Sequence, residues 1–179
     1  MNRTESEKLA LELRNQFEPL LQGYSSLQDA FQLNDEKIRQ LTAMGNELAR
    51  QGKLNDAALI LGGLTLIRPE TALLHSSLGA VLMKMKQNES AFSELSYAVE
   101  LDPTDIGARV NLGELSCQLG DVNAAVQHLE QAILLDPSAQ NPFANRARSL
   151  LLLISNTARE LRNQRPEKIK EQLRSLPSM

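Results

Sequence analysis

Apolar and small residues recur along this chain with two periods at once. Over short windows they fall at helical spacing: Leu9, Leu13, Phe17, Leu20 and Leu21 line one face of an N-terminal helix. Over longer distances the pattern repeats every 34 residues. Shifting the chain by that length superposes Gly45, Gly79 and Gly113; Ala57, Ala91 and Ala125; Leu61, Leu95 and Leu129; and Pro69, Pro103 and Pro137. The phrase "AVELDP" at 98–103 returns as "AILLDP" at 132–137, and "LTLIRP" at 64–69 keeps the same beat more weakly. A fixed period without insertions predicts a stack of like units, here 38–71, 72–105 and 106–139.

Each column has a mechanical reason. Gly and Ala are small where two helices of a hairpin approach closely, and a bulkier side chain there would cost about 1–3 kcal/mol. Met44, Leu78 and Leu112, with the later Leu, are expected to fill the groove between helices. The Pro ends the second helix on schedule. Gly52 and Gly120 mark the turn between helices; in the middle unit, "KQNES" makes Asn88 the candidate turn residue. Gly62-Gly63 reads as a site of close packing inside a helix, and Asp102 and Asp136 read as helix caps or, more plainly, as solvated acids.

Period and residues together resemble the tetratricopeptide repeat, a helix–turn–helix unit. The expected fold class is all-α: a superhelical solenoid of three such repeats with N-terminal and C-terminal flanking helices. Departures from the pattern are Leu41, His75 and Arg109 at the fourth position, Leu48, Leu82 and Ser116 at the eleventh, and Leu64 where a small residue is usual. Residues 1–37 form the N-terminal arm, opened by the capping box Thr4–Glu7 and interrupted at Pro19. The arm serves as a lid on the first repeat, as a dimerisation element through Leu9, Leu13, Phe17, Leu20 and Leu21, or as both. Residues 140–179 read as a capping helix and tail: Asn141 as N-cap, Pro142 first, and Ala144, Ala147, Leu150, Leu151 and Ile154 as the inner stripe. Pro166 is expected to break that helix, leaving a short one over 167–173.

Composition changes this picture little. The chain has 179 residues, 42% of them apolar and 23% charged, with 3% aromatics and no Trp, which suits thin helix packing. The formal charge of −3 divides into +5 from Gln140 onward and −8 before it. With no aromatics interleaved among the basic residues, the tail reads as a solvated helix face rather than a nucleic-acid surface. A single cysteine, Cys117, excludes an internal disulfide and points to a reducing compartment. The N-terminus is polar and acidic, unlike a secretion signal, and the apolar run Leu150–Ile154 is too short to cross a bilayer. A cytoplasmic protein without membrane insertion is expected.

Catalytic chemistry is not evident. His75 and His128 occupy non-equivalent positions without a metal-ligand partner at the right spacing, so no metal and no cofactor is expected. Cys117 lacks a general base nearby in sequence, and Glu94 and Glu100 read as exposed helix acids. A solenoid instead offers the concave face of its first helices. Their phase predicts a peptide groove lined by Arg39, Thr42, Asn46, Ala49 and Arg50; Leu73, Ser76, Ala80, Met83 and Lys84; and Val110, Glu114, Cys117 and Gln118. A clamp for acidic chaperone tails is disfavoured, because Thr42 and Gly107 stand where lysines are wanted and only Asn46 fits.

The stretch 23–57 sharpens the reading. Gly23, Leu27-Gln28-Asp29, then Gly52 and Ala57 resemble the opening of the class II translocator chaperones of type III secretion. That resemblance implies a non-enzymatic holdase that clasps an extended segment of a hydrophobic secreted client and forms a homodimer through its N-terminal region. Thr42 and Ala49 stand where the family often places tyrosines. A structural scaffold for assembling another complex is the alternative. On the helix phase, glutamate at Ala80 or Val110 is expected to block client binding while leaving helicity and melting temperature nearly unchanged.

Overall fold

The computed structural model describes the backbone of residues 33–174 and the side chains of 33–162. Among the described residues there are seven α-helices and no strand. Three hairpins follow one another: α1 (Asp35–Arg50) with α2 (Leu54–Ile67), α3 (Ala72–Lys84) with α4 (Asn88–Leu101), and α5 (Ile106–Gln118) with α6 (Val122–Leu134). A long helix, α7 (Pro142–Arg174), packs on α5 and α6 and closes the stack. The N-terminal arm, with Leu9, Leu13, Phe17, Leu20 and Leu21, lies outside the described residues.

Local chemistry fixes where the helices begin. The Asn34 carboxamide accepts the Lys37 amide at 2.9 Å, and Asp105 and Asp121 cap α5 and α6 at the same distance through the Ala108 and Ala124 amides. Asn141 caps α7, its Oδ1 accepting from Phe143 at 2.8 Å, with Pro142 in the first turn as the sequence indicates.

The glycine column is a steric requirement. A Cβ on Gly45, Gly79 or Gly113 would lie 2.9, 2.6 or 2.7 Å from Cγ of Leu61, Leu95 or Leu129. Each hairpin therefore closes by seating the second helix's leucine directly on the first helix's glycine. The alanine column, Ala57, Ala91 and Ala125, is fully buried beside it. One continuous core runs from Ala49 to Leu115, a second joins Val110, Leu129 and Ala132 to Ala147 of α7, and a third lies under Ile38, Leu64 and Leu74.

Several expectations need correction. Met44 does not fill an interhelical groove: it is 52% exposed, whereas its equivalents Leu78 and Leu112 are 7% and 2% exposed. Those two have a preceding hairpin to pack against; α1 is the first described helix. Gly62 and Gly63 do not mark close packing, since a Cβ on either meets nothing within 4 Å. The middle turn is made not by Asn88, the first residue of α4, but by Lys86, which takes the left-handed conformation (φ 63°) adopted at the equivalent Gly52 (φ 80°) and Gly120 (φ 86°). Pro166 does not break α7, which continues to Arg174. A proline's φ is itself helical, and the neighbouring Arg, Glu, Lys and Gln residues are good helix formers.

The fourth position also has an organisation the repeat template does not show. His75 is buried, with Nε2 donating to the Pro69 carbonyl at 2.8 Å and Nδ1 2.7 Å from Glu94 Oε2. The Tyr97 ring meets its edge at a centroid distance of 4.7 Å. One repeat later, Arg109 Nε donates to the Pro103 carbonyl at 2.8 Å, and its guanidinium bonds Gln131. A nitrogen donor thus ties each of these first helices to the proline that ends the preceding hairpin. Glu94 is accordingly a partner of His75 and not a free helix acid.

Two substitutions at glycine-type positions should shift stability in opposite directions. Gly113→Ala should destabilise by about 1–3 kcal/mol through the clash with Leu129. Lys86→Gly should stabilise by about 0.5–1 kcal/mol by relieving a left-handed side-chain-bearing residue. Urea denaturation followed by circular dichroism reads both.

Candidate functional site: a groove between the first helices and the capping helix

The first helices of the hairpins and the start of α7 enclose an open groove of about 780 Å³. Asn46 of α1 stands at one side, and Leu73, Ser76, Ala80 and Met83 of α3 form the floor. Across from them lie Gly107, Asn111 and Glu114 of α5, and the far wall is Phe143 and Arg146 of α7. Small side chains at the centre, Ser76 and Ala80, leave the depth; Leu73, Met83 and Phe143 supply apolar contact. Leu73 and Phe143 are large, exposed hydrophobics here.

Of the residues assigned from helix phase, Asn46, Leu73, Ser76, Ala80, Met83 and Glu114 come together, along with Lys84 and Gln118. The others lie elsewhere. Arg39 is exposed and pairs with Glu36 at 2.6 Å, and Arg50 is exposed and pairs with Glu47. Thr42 and Ala49 are buried: the Thr42 hydroxyl donates to the Ile38 carbonyl at 2.7 Å, and Ala49 belongs to the core shared with α3. Val110 is 0% exposed, because α7 covers it with Ala147. In the third hairpin the groove therefore keeps Glu114 and Gln118, takes in Asn111 and leaves out Val110 and Cys117. Glutamate at Val110 consequently attacks the core rather than the groove. The half-buried Cys117 thiol is pushed up from its ordinary range by burial and by the Glu114 carboxylate, which keeps it protonated. His128 is pushed down by burial and by the Arg109 guanidinium, so its neutral form is favoured.

Phe143 and Arg146 were missed because repeat periodicity carries no information about a helix outside the repeats. Arg146 forms an ion pair with Glu114 and so fixes α7 to α5 across the groove. Gly107 faces Phe143: a Cβ there would make an ordinary contact with the ring at 3.8 Å and a tighter one, 3.2 Å, with Asp105 Oδ1.

The second missed element is the turn that aims α7. Asp136, only 7% exposed, is neither a simple cap nor solvated. Its carboxylate accepts the Asn141 amide at 3.0 Å, the Gln140 amide at 3.2 Å and the Ser138 hydroxyl at 3.3 Å. Arg148, a turn and a half into α7, reaches back to both its carboxylate and its carbonyl. Burial alone would raise this carboxyl's pKa, but the two amides, Arg148 and Ser138 outweigh it and hold it below the usual carboxylate range. Among the described residues no three His, Cys, Asp or Glu side chains converge as a metal site, and no helix is long and apolar enough to cross a membrane.

A helical-hairpin solenoid with a peptide-sized groove defines the class of protein, and comparison with known proteins agrees. Residues 82–151 match the family model described as tetratricopeptide repeat. The chain superposes on the type III secretion translocator chaperone SycD of Yersinia enterocolitica with a TM-score of 0.63 at 21% identity, covering 73% of this chain and 99% of that one. It superposes on PcrH, a Pseudomonas aeruginosa protein, in complex with the chaperone binding region of PopD. There the TM-score is 0.62 at 28% identity, with 72% of this chain and 96% of that one covered. A curated relative, the inactive TPR repeat-containing thioredoxin TTL3 of Arabidopsis thaliana, is 30% identical over 96 residues, which make up 54% of this chain. The chain spans 14% of that relative's length. The fold is thus a tetratricopeptide-repeat solenoid, and the chain resembles the class II translocator chaperones of type III secretion.

The Asp136 clasp makes a prediction about acid. Because its carboxyl is held low in the folded protein, its contribution is present above the unfolded carboxyl pKa of about 4 and is lost as pH falls through the lower folded value. Asp136→Asn should therefore be less stable than wild type at neutral pH, with the gap closing below about pH 4, as measured by denaturation midpoints across pH.

Proposed function

We propose that this chain is a non-enzymatic peptide-binding chaperone. It holds an extended, apolar segment of a secreted, translocator-like client in the groove between α3, α5 and α7, and so keeps that client soluble before type III secretion. The observation that carries the reading is the groove itself, with Leu73, Met83 and Phe143 around the small residues Ser76 and Ala80, in a fold similar to PcrH in complex with the chaperone binding region of PopD. A strand-like peptide laid along such a surface presents alternate side chains to apolar pockets, while polar residues such as Asn46 and Asn111 meet its backbone. Covering those anchors removes the surface through which a membrane-active client would aggregate.

The client-contacting residues on this reading are Asn46, Leu73, Ser76, Ala80, Met83 and Glu114, with Phe143 and Arg146 added by the capping helix. Homodimerisation through Leu9, Leu13, Phe17, Leu20 and Leu21 belongs to the same proposal. Deletion of residues 1–32 should convert a dimer to a monomer by light scattering, and a truncated chain that stays dimeric overturns that part.

Ala80→Glu places a charge at the centre of the groove on a part-exposed position, outside the core. It should weaken binding of a co-expressed pore-forming client at least about tenfold while the circular dichroism spectrum and melting temperature stay near wild type. A client that still co-purifies with Ala80→Glu, or that fails to co-purify with the wild type, counts against the chaperone reading and favours an assembly scaffold.

A further inference from the structure

The charges lining the groove do not balance. Both acids are satisfied within the chain: Asp105 Oδ1 accepts the Ala108 amide at 2.9 Å, and Glu114 pairs with Arg146. Lys84 and Lys86 line the same cavity. Lys84 Nζ lies 3.4 Å from the Ala49 carbonyl, and among the described residues neither lysine is in an ion pair. Two cations without acidic partners therefore line a partly apolar surface whose other charges are Asp105 and the Glu114–Arg146 pair, leaving the groove with a net charge of one positive unit.

Lys86 also occupies a position its backbone does not favour. The repeat supplies glycine there in the first and third hairpins, at Gly52 and Gly120, and the middle hairpin keeps a lysine at φ 63° instead. What that substitution gains is a positive charge at the groove. Lys86 also borders a smaller hollow of about 340 Å³ at the start of α4, where Gln87 makes no side-chain cap bond. Glu89, in the first turn of that helix, lines the same hollow and sets a carboxylate against the field of its amides, so the positive charge offered to the groove is that of the two lysines.

We propose that the groove selects extended peptides that carry an acidic side chain beside their apolar anchors, with Lys84 and Lys86 receiving the carboxylate. The anchors rest on Leu73, Ala80, Met83 and Phe143. This inference rests on the peptide-groove reading above and adds the charge of the client segment to it.

The test uses the full chain and a random dodecapeptide library displayed on phage, selected against wild type and counter-screened on Ala80→Glu. Wild type should return peptides combining large apolar residues with Asp or Glu. For a selected peptide, the acidic form should bind about threefold to tenfold tighter than its Glu→Gln form at low salt, and the advantage should vanish near 0.5 M salt. It should also vanish in Lys84→Gln/Lys86→Gly. Lys86→Gly alone should lower the preference while raising thermal stability, a combination that a merely structural lysine cannot give. Binders that depend on Ala80 but show no charge preference, or a preference that survives in the double variant, overturn this proposal and leave the groove reading standing. A library that yields no binder, or only binders indifferent to Ala80→Glu, overturns both.

Discussion

Everything in this molecule depends on leucine side chains seated on bare backbone. Where Leu61, Leu95 and Leu129 press on Gly45, Gly79 and Gly113, the two helices of a hairpin come closer than any Cβ would permit. That contact fixes the separation of the pair, and with it the place where the next hairpin must dock. Because interiors are close-packed, an error at one such contact is passed to its neighbours rather than absorbed. The aromatic-poor composition is a consequence: a thin stack of close helices has room for Leu, Val and Ala, and large rings are left at the edges, as Phe92 and Phe143 are.

From that spacing the groove follows. Each hairpin adds a first helix to the concave wall, and the side chains left facing inward are those the next hairpin does not cover. Ala49 is lost in this way to the core it shares with α3, and Thr42 is buried too, while Asn46, one turn from each, stays at the surface. The same logic run to the end of the stack explains Val110, which α7 covers as another hairpin would. A groove built by subtraction is lined by whatever remains, here small, amide-bearing, charged and thioether side chains with Phe143 as its aromatic residue.

The hairpins could be read from the sequence because their determinants recur. Three copies of one glycine, alanine, leucine and proline column report a fold more securely than any local propensity, and the phase of those columns picks out Leu73, Ser76, Ala80, Met83 and Lys84, which line the cavity along α3. What periodicity could not report is whatever happens once. The loss of Val110 from the groove at α5 arises from α7, which has no counterpart in the repeats. Asp136 looked interchangeable with Asp102, yet only Asp136 is followed by Arg148 and a left-handed Ala139 that fold the turn around it; Asp102 binds Thr104 alone. Lys86 was passed over because a glycine-type backbone is expected of glycine or asparagine, and Asn88 stood two residues away. Gly62-Gly63 misled in the other direction: small residues signal close approach only when something approaches, and here nothing does.

The double duty of α7 sets a limit on how this architecture can change. Repeat arrays ordinarily lengthen by duplicating a unit, since each contacts only its neighbours. In this chain Ala144 and Ala147 seal the last hairpin, while Phe143 and Arg146, on the same first turns, complete the wall opposite α3. Inserting a fourth hairpin before α7 would give the array a valid end and at the same stroke carry Arg146 away from Glu114 and Phe143 away from Gly107. Cap and wall cannot move apart, so the number of repeats is locked to the shape of the cleft, and variation is confined to the residues that face it.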